Sequence, residues 1–157
     1  MNLRIELLAD HPTQVMRLGQ WMHQEWPMPG RSVADRAALF MMCMNRGQVP
    51  MTFVAMAEGE PAGTVSLLDR SVASHEHLHP WVASLYVGRQ WRNGGLATRL
   101  VETAAAAARR LGVATIYIGV AGRARQHYEQ QGWRYLGEGQ VADDPADRVD
   151  VLHRALR

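Results

Sequence analysis

Apolar residues crowd the segment from Val82 to Val87, then stop at a loop containing two adjacent glycines, Gly94 and Gly95. From there the apolar positions recur every third or fourth residue: Leu96, Leu100, Ala104, Ala107 and Leu111. The first pattern predicts a buried strand and the second an amphipathic helix, closed by Gly112. A strand, a glycine-rich loop and a helix N-terminus form an arrangement suited to phosphate. The first amides of a helix have no intrahelical partner, and the macrodipole favours an anion there. Glycine removes the Cβ that would hold a ligand away.

The rest of the chain reads as regular elements on either side. Leu3 to Leu8 predicts a first strand, and His11 to Trp26 a helix with Asp10 as N-cap and Pro12 near its start. Pro27, Pro29 and Gly30 end it. Ser32-Val33-Ala34-Asp35 reads as a capping box opening a second helix to about Arg46. Met51 to Ala57 and Gly63 to Leu68 are strands joined by a turn at Glu58-Gly59-Glu60-Pro61. Trp81 to Val87 is the fourth strand, Gly95 to Leu111 the long helix, and Thr115 to Val120 a fifth strand. Arg123 to Gln131 is a short helix. Trp133 to Val141 and Arg148 to Leu156 close the chain as a hairpin. The order β-α-α-β-β-β-α-β-α-β-β predicts an α/β chain with a mixed sheet of about seven strands.

Composition narrows the functional classes. At 157 residues the chain suits one domain with a real core. No run reaches the length of a membrane span, and the alternating start does not read as a secretory signal. One cysteine, Cys43, excludes an internal disulfide and fits a reducing cytoplasm. Its neighbours Leu39, Phe40, Met41, Met42 and Met44 suggest an apolar role rather than a nucleophile. The chain contains no lysine, and its formal net charge is only +2. Its arginines are scattered from Arg4 to Arg157, which disfavours nucleic acid as a partner.

The glycine loop is neither a Walker A loop, since no Gly-Lys-Ser/Thr follows, nor the dinucleotide pattern Gly-x-Gly-x-x-Gly. Arg92-x-x-Gly95-x-Ala97 follows Leu85-Tyr86-Val87 directly. It resembles the acyl-coenzyme A loop of the GNAT acetyltransferase superfamily, Arg/Gln-x-x-Gly-x-Gly/Ala. A second stretch, Tyr128-Glu129-Gln130-Gln131-Gly132-Trp133, resembles that family's Tyr-Glu-x-x-Gly-Phe. The predicted element order matches along nearly the whole chain. The resemblance implies a strongly twisted sheet with helices on both faces, whose fourth and fifth strands splay around the cofactor's pantetheine arm.

It also implies roles for particular residues. The backbone of Leu85, Tyr86 and Val87 would bind pantetheine and the acetyl carbonyl. The backbone of Asn93, Gly94, Gly95, Leu96, Ala97 and Thr98 would cradle the pyrophosphate, with Arg92 nearby. Tyr128 would protonate the departing thiolate: a phenol, with pKa about 10, stays protonated at neutral pH. The family's frequent asparagine ahead of this last helix falls on Ala121, so a contact is missing or is supplied by Arg123 or Arg125. Neither the fourth nor the fifth strand carries a glutamate base. A water relayed past Ser84, or a nearby histidine such as His79, then becomes the base candidate. The lack of a strong base tilts the acceptor toward a weakly basic amine, an α-amine for example. Glu25 and Trp26 end the first helix, where the fold builds a wall of the acceptor site.

His75, His77 and His79 alternate, and in an extended chain they would share one face. A polar loop without a metal accounts for them more simply. These readings make the chain an acetyl-coenzyme A-dependent N-acetyltransferase acting on a primary amine, of a small molecule or a protein N-terminus, by direct attack. The alternative is a non-catalytic acyl-coenzyme A binding or sensing domain. Relatives often form homodimers, but no interface is legible.

Overall fold

The computed structural model describes residues 2–141 and 147–157. Strand β1 (Leu3–Leu7) leads through two short 3-10 turns, Leu8–Asp10 and Pro12–Gln14, into helix α1 (Val15–Glu25). The helix therefore starts four residues later than the Asp10 and Pro12 signals suggest. Pro12 begins a 3-10 turn, and Asp10 pairs with Arg46 at 2.5 Å instead of capping α1. Helix α2 (Val33–Met41) carries the expected capping box: Asp35 N donates to Ser32 Oγ at 3.1 Å and Ser32 N to Asp35 Oδ2 at 2.8 Å. It ends well before Arg46, because Met44 leaves the helix to bridge Met51.

Strands β2 (Met51–Ala57) and β3 (Glu60–Leu68) form a hairpin. Its two turn residues, Glu58 and Gly59, both have positive φ, 52° and 84°, the conformation that matches the twist of the flanking strands. β4 (Trp81–Val87), α3 (Leu96–Arg110), β5 (Thr115–Val120), α4 (Arg125–Glu129), β6 (Arg134–Gln140) and β7 (Arg148–Ala155) complete the expected order. α4 is shorter than its pattern because Gly122–Ala124 form a 3-10 turn.

The seven strands make one sheet in the order β1-β2-β3-β4-β5-β7-β6. β2 is buried along its whole length, which explains why Thr52 alone interrupts its apolar run. α3 covers one face through Leu96, Leu100, Val101 and Ala104. A Cβ on Gly63 of β3 would stand 3.0 Å from Leu100 Cδ1, so glycine lets α3 lie close to the sheet. On the other face Leu18, Trp21, Met22 and Phe40 of α1 and α2 pack with Val54 and Met56. There the two helices approach so closely that a Cβ on Gly19 would meet Ala37 Cβ at 2.9 Å.

Every pairing is antiparallel except β4 with β5, which is parallel and brief. It comprises Trp81 opposite Tyr117 and Val82 opposite Ile118. Beyond Val82 the two strands diverge. Ala83 to Val87 thus have no ladder partner on the β5 side.

Candidate active site

The site begins at a bulge in β4. Thr64 of β3 faces Tyr86, and Ser66 faces Ala83, so the single residue Val65 spans both Ser84 and Leu85. Ser84 absorbs the extra residue at φ 52°. A bulge bends the strand and re-aims its groups. Here it turns the backbone of Leu85 to Val87 toward the gap left by β5. Backbone N–H and C=O groups at such an edge require water or a ligand.

At the end of β4 the chain turns sharply into α3. Asn93 and Gly95 both take positive φ, 66° and 81°. Gly95 is the N-cap of α3, with no side-chain cap and no acidic residue in the first turn. The first intrahelical bond runs from Arg99 N to Gly95 O. The amides of Leu96, Ala97 and Thr98 therefore stay free at the positive end of a helix of 15 residues.

These amides open on a cleft of about 440 Å³. Leu85, Tyr86 and Val87 form its β4 wall, and Arg92, Asn93, Gly95, Leu96, Ala97 and Thr98 its loop and helix wall. Glu25 and Trp26 enter from the end of α1 and His127 from α4. Gly94 lies in the loop but does not line the cleft. Tyr86 anchors the α1 side, with its ring 5.0 Å from Trp21 and 6.4 Å from Trp26. Arg92 holds the turn: Nε donates to Val87 O at 2.9 Å, and the guanidinium lies 5.4 Å from the Tyr86 ring.

Tyr128 lies in α4, the helix after β5, and does not itself line this cleft, although its neighbour His127 does. It packs on the α3-side core, which includes Leu85, Val87 and Leu96. Its ring meets Trp133 edge-on at 6.3 Å. Burial raises its pKa above the ordinary phenol value, which keeps the proton on oxygen at neutral pH. Gln131 ties this segment to α3 by donating to Thr98 Oγ1 at 3.2 Å. Arg125 is taken up by the fold. It pairs with Glu129 and Asp150 and stacks 3.8 Å from the Tyr135 ring. Arg123 is exposed.

A second cleft of about 400 Å³ lies between the sheet and α2. Ser84 lines it, so the β4 bulge is the junction of the two clefts. Its walls are largely apolar, with Met22, Phe40 and Leu68 among them. Four of its polar or charged residues lie outside the motifs read from the sequence. Ser66 is buried and shares a 2.7 Å hydrogen bond with Thr52. Asp69 and Arg70 stand exposed at its rim. Arg36 is buried, and its Nη1 donates to Trp26 O at 2.6 Å. Burial lowers its pKa without discharging it at neutral pH. The sequence held a signal for Arg36: it occupies the inner face of α2 with Ala37 and Phe40, where an apolar residue is expected.

Cys43 also lines this cleft. Its thiol donates to Leu39 O at 3.3 Å, and burial pushes its pKa up. At pH 7.4 its reaction with a maleimide is expected to be slower than that of free cysteine, because the thiolate is the nucleophile and burial disfavours it. Unfolding in guanidinium should remove the difference. Reaction at the free-cysteine rate in the folded protein would contradict this.

His79 is exposed at the entrance to β4 and lines neither cleft. His75 and His77 stack with centroids 6.1 Å apart. Among the described residues no group of three or more His, Cys, Asp or Glu is arranged to hold a metal ion. No helix among them is long and apolar enough to cross a membrane.

Residues 15–133 match the family model described as the acetyltransferase (GNAT) family. The chain belongs to this family. It is thus an acyltransferase by descent, and its sheet order and split fourth and fifth strands are the family's fold. A search of curated proteins returns no match. Solved structures extend the likeness over the whole chain. An acetyltransferase of the GNAT family from Streptococcus pneumoniae is 14% identical with a TM-score of 0.71, covering 99% of this chain and 100% of that one. An aminoglycoside 6'-N-acetyltransferase complexed with coenzyme A is 17% identical with a TM-score of 0.76, covering 100% and 98%. The aminoglycoside 6'-N-acetyltransferase from Enterococcus faecium is 15% identical with a TM-score of 0.74, covering 98% and 97%. At such identities the likeness bears on the fold alone.

Proposed function

We propose that this GNAT protein transfers an acetyl group from acetyl-coenzyme A to a primary amine by direct attack within a ternary complex. The observation that carries this reading is the meeting of two clefts at the β4 bulge. One leads to the free amides of α3, and the other is a largely apolar pocket behind Ser84. In this reading the pyrophosphate rests on the amides of Leu96 to Thr98, and pantetheine follows the β4 edge at Leu85 to Val87, where β5 supplies no ladder partner. A family neighbour of the same fold carries coenzyme A, which supports the assignment of this donor.

The amine enters from the second cleft and its nitrogen attacks the thioester carbonyl carbon. A β4 amide near Val87 stabilises the oxyanion as the carbon becomes tetrahedral. The C–S bond then breaks, and Tyr128 gives its phenolic proton to the sulfur. The new ammonium loses a proton to water beside Ser84 and Ser66, and solvent returns one to Tyr128. Asp69, the carboxylate among the described residues that lines the acceptor cleft, stands at the exposed rim. Water is a weak base, so an amine with pKa about 8 is a better substrate than one near 10.4, more of it being unprotonated at pH 7 to 8.

Thiol release from acetyl-coenzyme A, measured against a panel of α-amino and alkyl amines, tests the reading. Saturable, amine-dependent release with mass-confirmed N-acetyl product is expected. Tight coenzyme A binding with no release for any amine would support a sensing domain instead.

A further inference from the structure

Arg36 is a charged side chain set into the wall of the acceptor cleft. The residue is buried, only 8% exposed, yet it lines that cleft. A guanidinium carries five N–H donors, and those of Arg36 that lack a protein partner are not sealed in the fold: the buried side-chain atoms without a partner among the described residues are His23 Nδ1 and Trp133 Nε1. One donor reaches Trp26 O, the carbonyl at the C-terminal end of α1. Among the described residues no carboxylate forms an ion pair with it. The other charged groups lining the cleft are Asp69 and Arg70, adjacent and exposed on the rim, which offset one another. The cleft therefore keeps a net positive charge, carried by the buried Arg36. Around that charge the lining is apolar: Met22, Leu39, Phe40, Met42, Pro50 and Leu68.

We propose that Arg36 is the carboxylate-binding residue of the acceptor site, and that the acceptor is an apolar amino acid or short peptide with a free carboxylate. This deepens the acyl-transfer reading and rests on it. A planar fork with free donors is suited to a carboxylate, because two parallel N–H···O bonds fix both position and orientation. The apolar wall takes the side chain, and the cleft volume lies in the small-molecule range. The free α-amine then points to Ser84 and the thioester. Such an amine is the weakly basic kind that a site without a strong base can use. A polycationic acceptor is disfavoured by the same charge, in contrast to the aminoglycoside named for two structural neighbours.

Binding, not turnover, is the test. The coenzyme A-loaded protein is titrated by calorimetry with N-acetyl-L-leucine and N-acetyl-L-leucyl-L-leucine, each paired with its C-terminal amide. The acids are expected to bind at least about tenfold more tightly than the amides, the scale of a charge-assisted bidentate contact. Folded Arg36→Gln should lose that preference. If Arg36→Gln does not fold, Arg36→Lys keeps the charge but lacks the fork, and its preference should shrink. Equal affinity of acid and amide for the wild-type protein would overturn the proposal. So would an undiminished preference in either folded variant, or tighter binding of an aminoglycoside than of the acids. Acid-selective binding without acetylation of the parent amines would instead sink the acyl-transfer reading and leave this site standing.

Discussion

A Gly95→Glu variant is expected to lose acetyl-coenzyme A binding by at least roughly 100-fold in a calorimetric titration. The proposed pyrophosphate seat is the free amide row of Leu96, Ala97 and Thr98, and Gly95 caps it at φ 81°. A glutamate there acts in two ways. Its carboxylate brings a like charge to the anion's position; at about 4 Å this repulsion amounts to about 4 kcal/mol at an effective dielectric of 20, and tenfold in affinity needs about 1.4 kcal/mol. Its Cβ also strains a left-handed backbone by roughly 1–2 kcal/mol. Space is not the obstacle, since a Cβ built at Gly95 meets nothing within 4 Å. Charge and strain are therefore separable. Gly95→Asn is uncharged and tolerates positive φ. It should keep most of the affinity and nearly the wild-type melting temperature. Wild-type affinity in a folded Gly95→Glu variant would remove the pyrophosphate from this loop.

The loop was legible because its signals are local. An apolar strand, adjacent glycines and a three-to-four period occur within one continuous stretch, and each has a backbone cause. Ser32 and Asp35 were equally readable, because both halves of a capping box lie within a single turn. The start of α1 is read from Asp10 and Pro12, the signals of a cap and a first turn, but Pro12 serves a 3-10 turn and the helix begins only at Val15. The end of α2 was misplaced for a related reason. Met42 and Met44 look like more helix until the bridge to Met51 takes the chain away, and that bridge is a tertiary event.

The second cleft was far less legible. Ser84 drew attention as a polar residue beside the thioester position, but its positive φ was hidden, because serine carries no signal for a bulge. The bulge follows from the register against β3. Arg36 and Ser66 belong to elements distant in sequence, and only the packing of α2 over β3 brings them to one pocket. His79 is a base candidate through its nearness along the chain to the fourth strand; it stands exposed at the strand's entrance and lines neither cleft.

Tyr128→Phe tests the step that follows attack. Removing the phenolic proton should lower kcat by roughly 10²–10⁴-fold, the usual scale for a positioned general acid. Binding of acetyl-coenzyme A should change little, because the phenyl ring preserves the packing on the core and the contact with Trp133. The pH dependence follows from the same burial. The folded phenol titrates above its ordinary value near 10. The donor thus stays protonated through neutral and mildly alkaline pH, and its loss should not limit kcat below about pH 10. The stability sign agrees: the neutral phenol favours the fold below the ordinary value, and this contribution is lost as pH rises through the raised one. Melting curves of the two proteins should therefore be compared below pH 9, about a unit under that reference. A large fall in melting temperature would mark Tyr128 as a packing residue of the last helix. The kinetics need an acceptor for which chemistry limits turnover, since slow product release would mask the change. A stable phenylalanine variant with wild-type kcat under that condition would take Tyr128 out of the reaction and leave water as the source of the thiol proton.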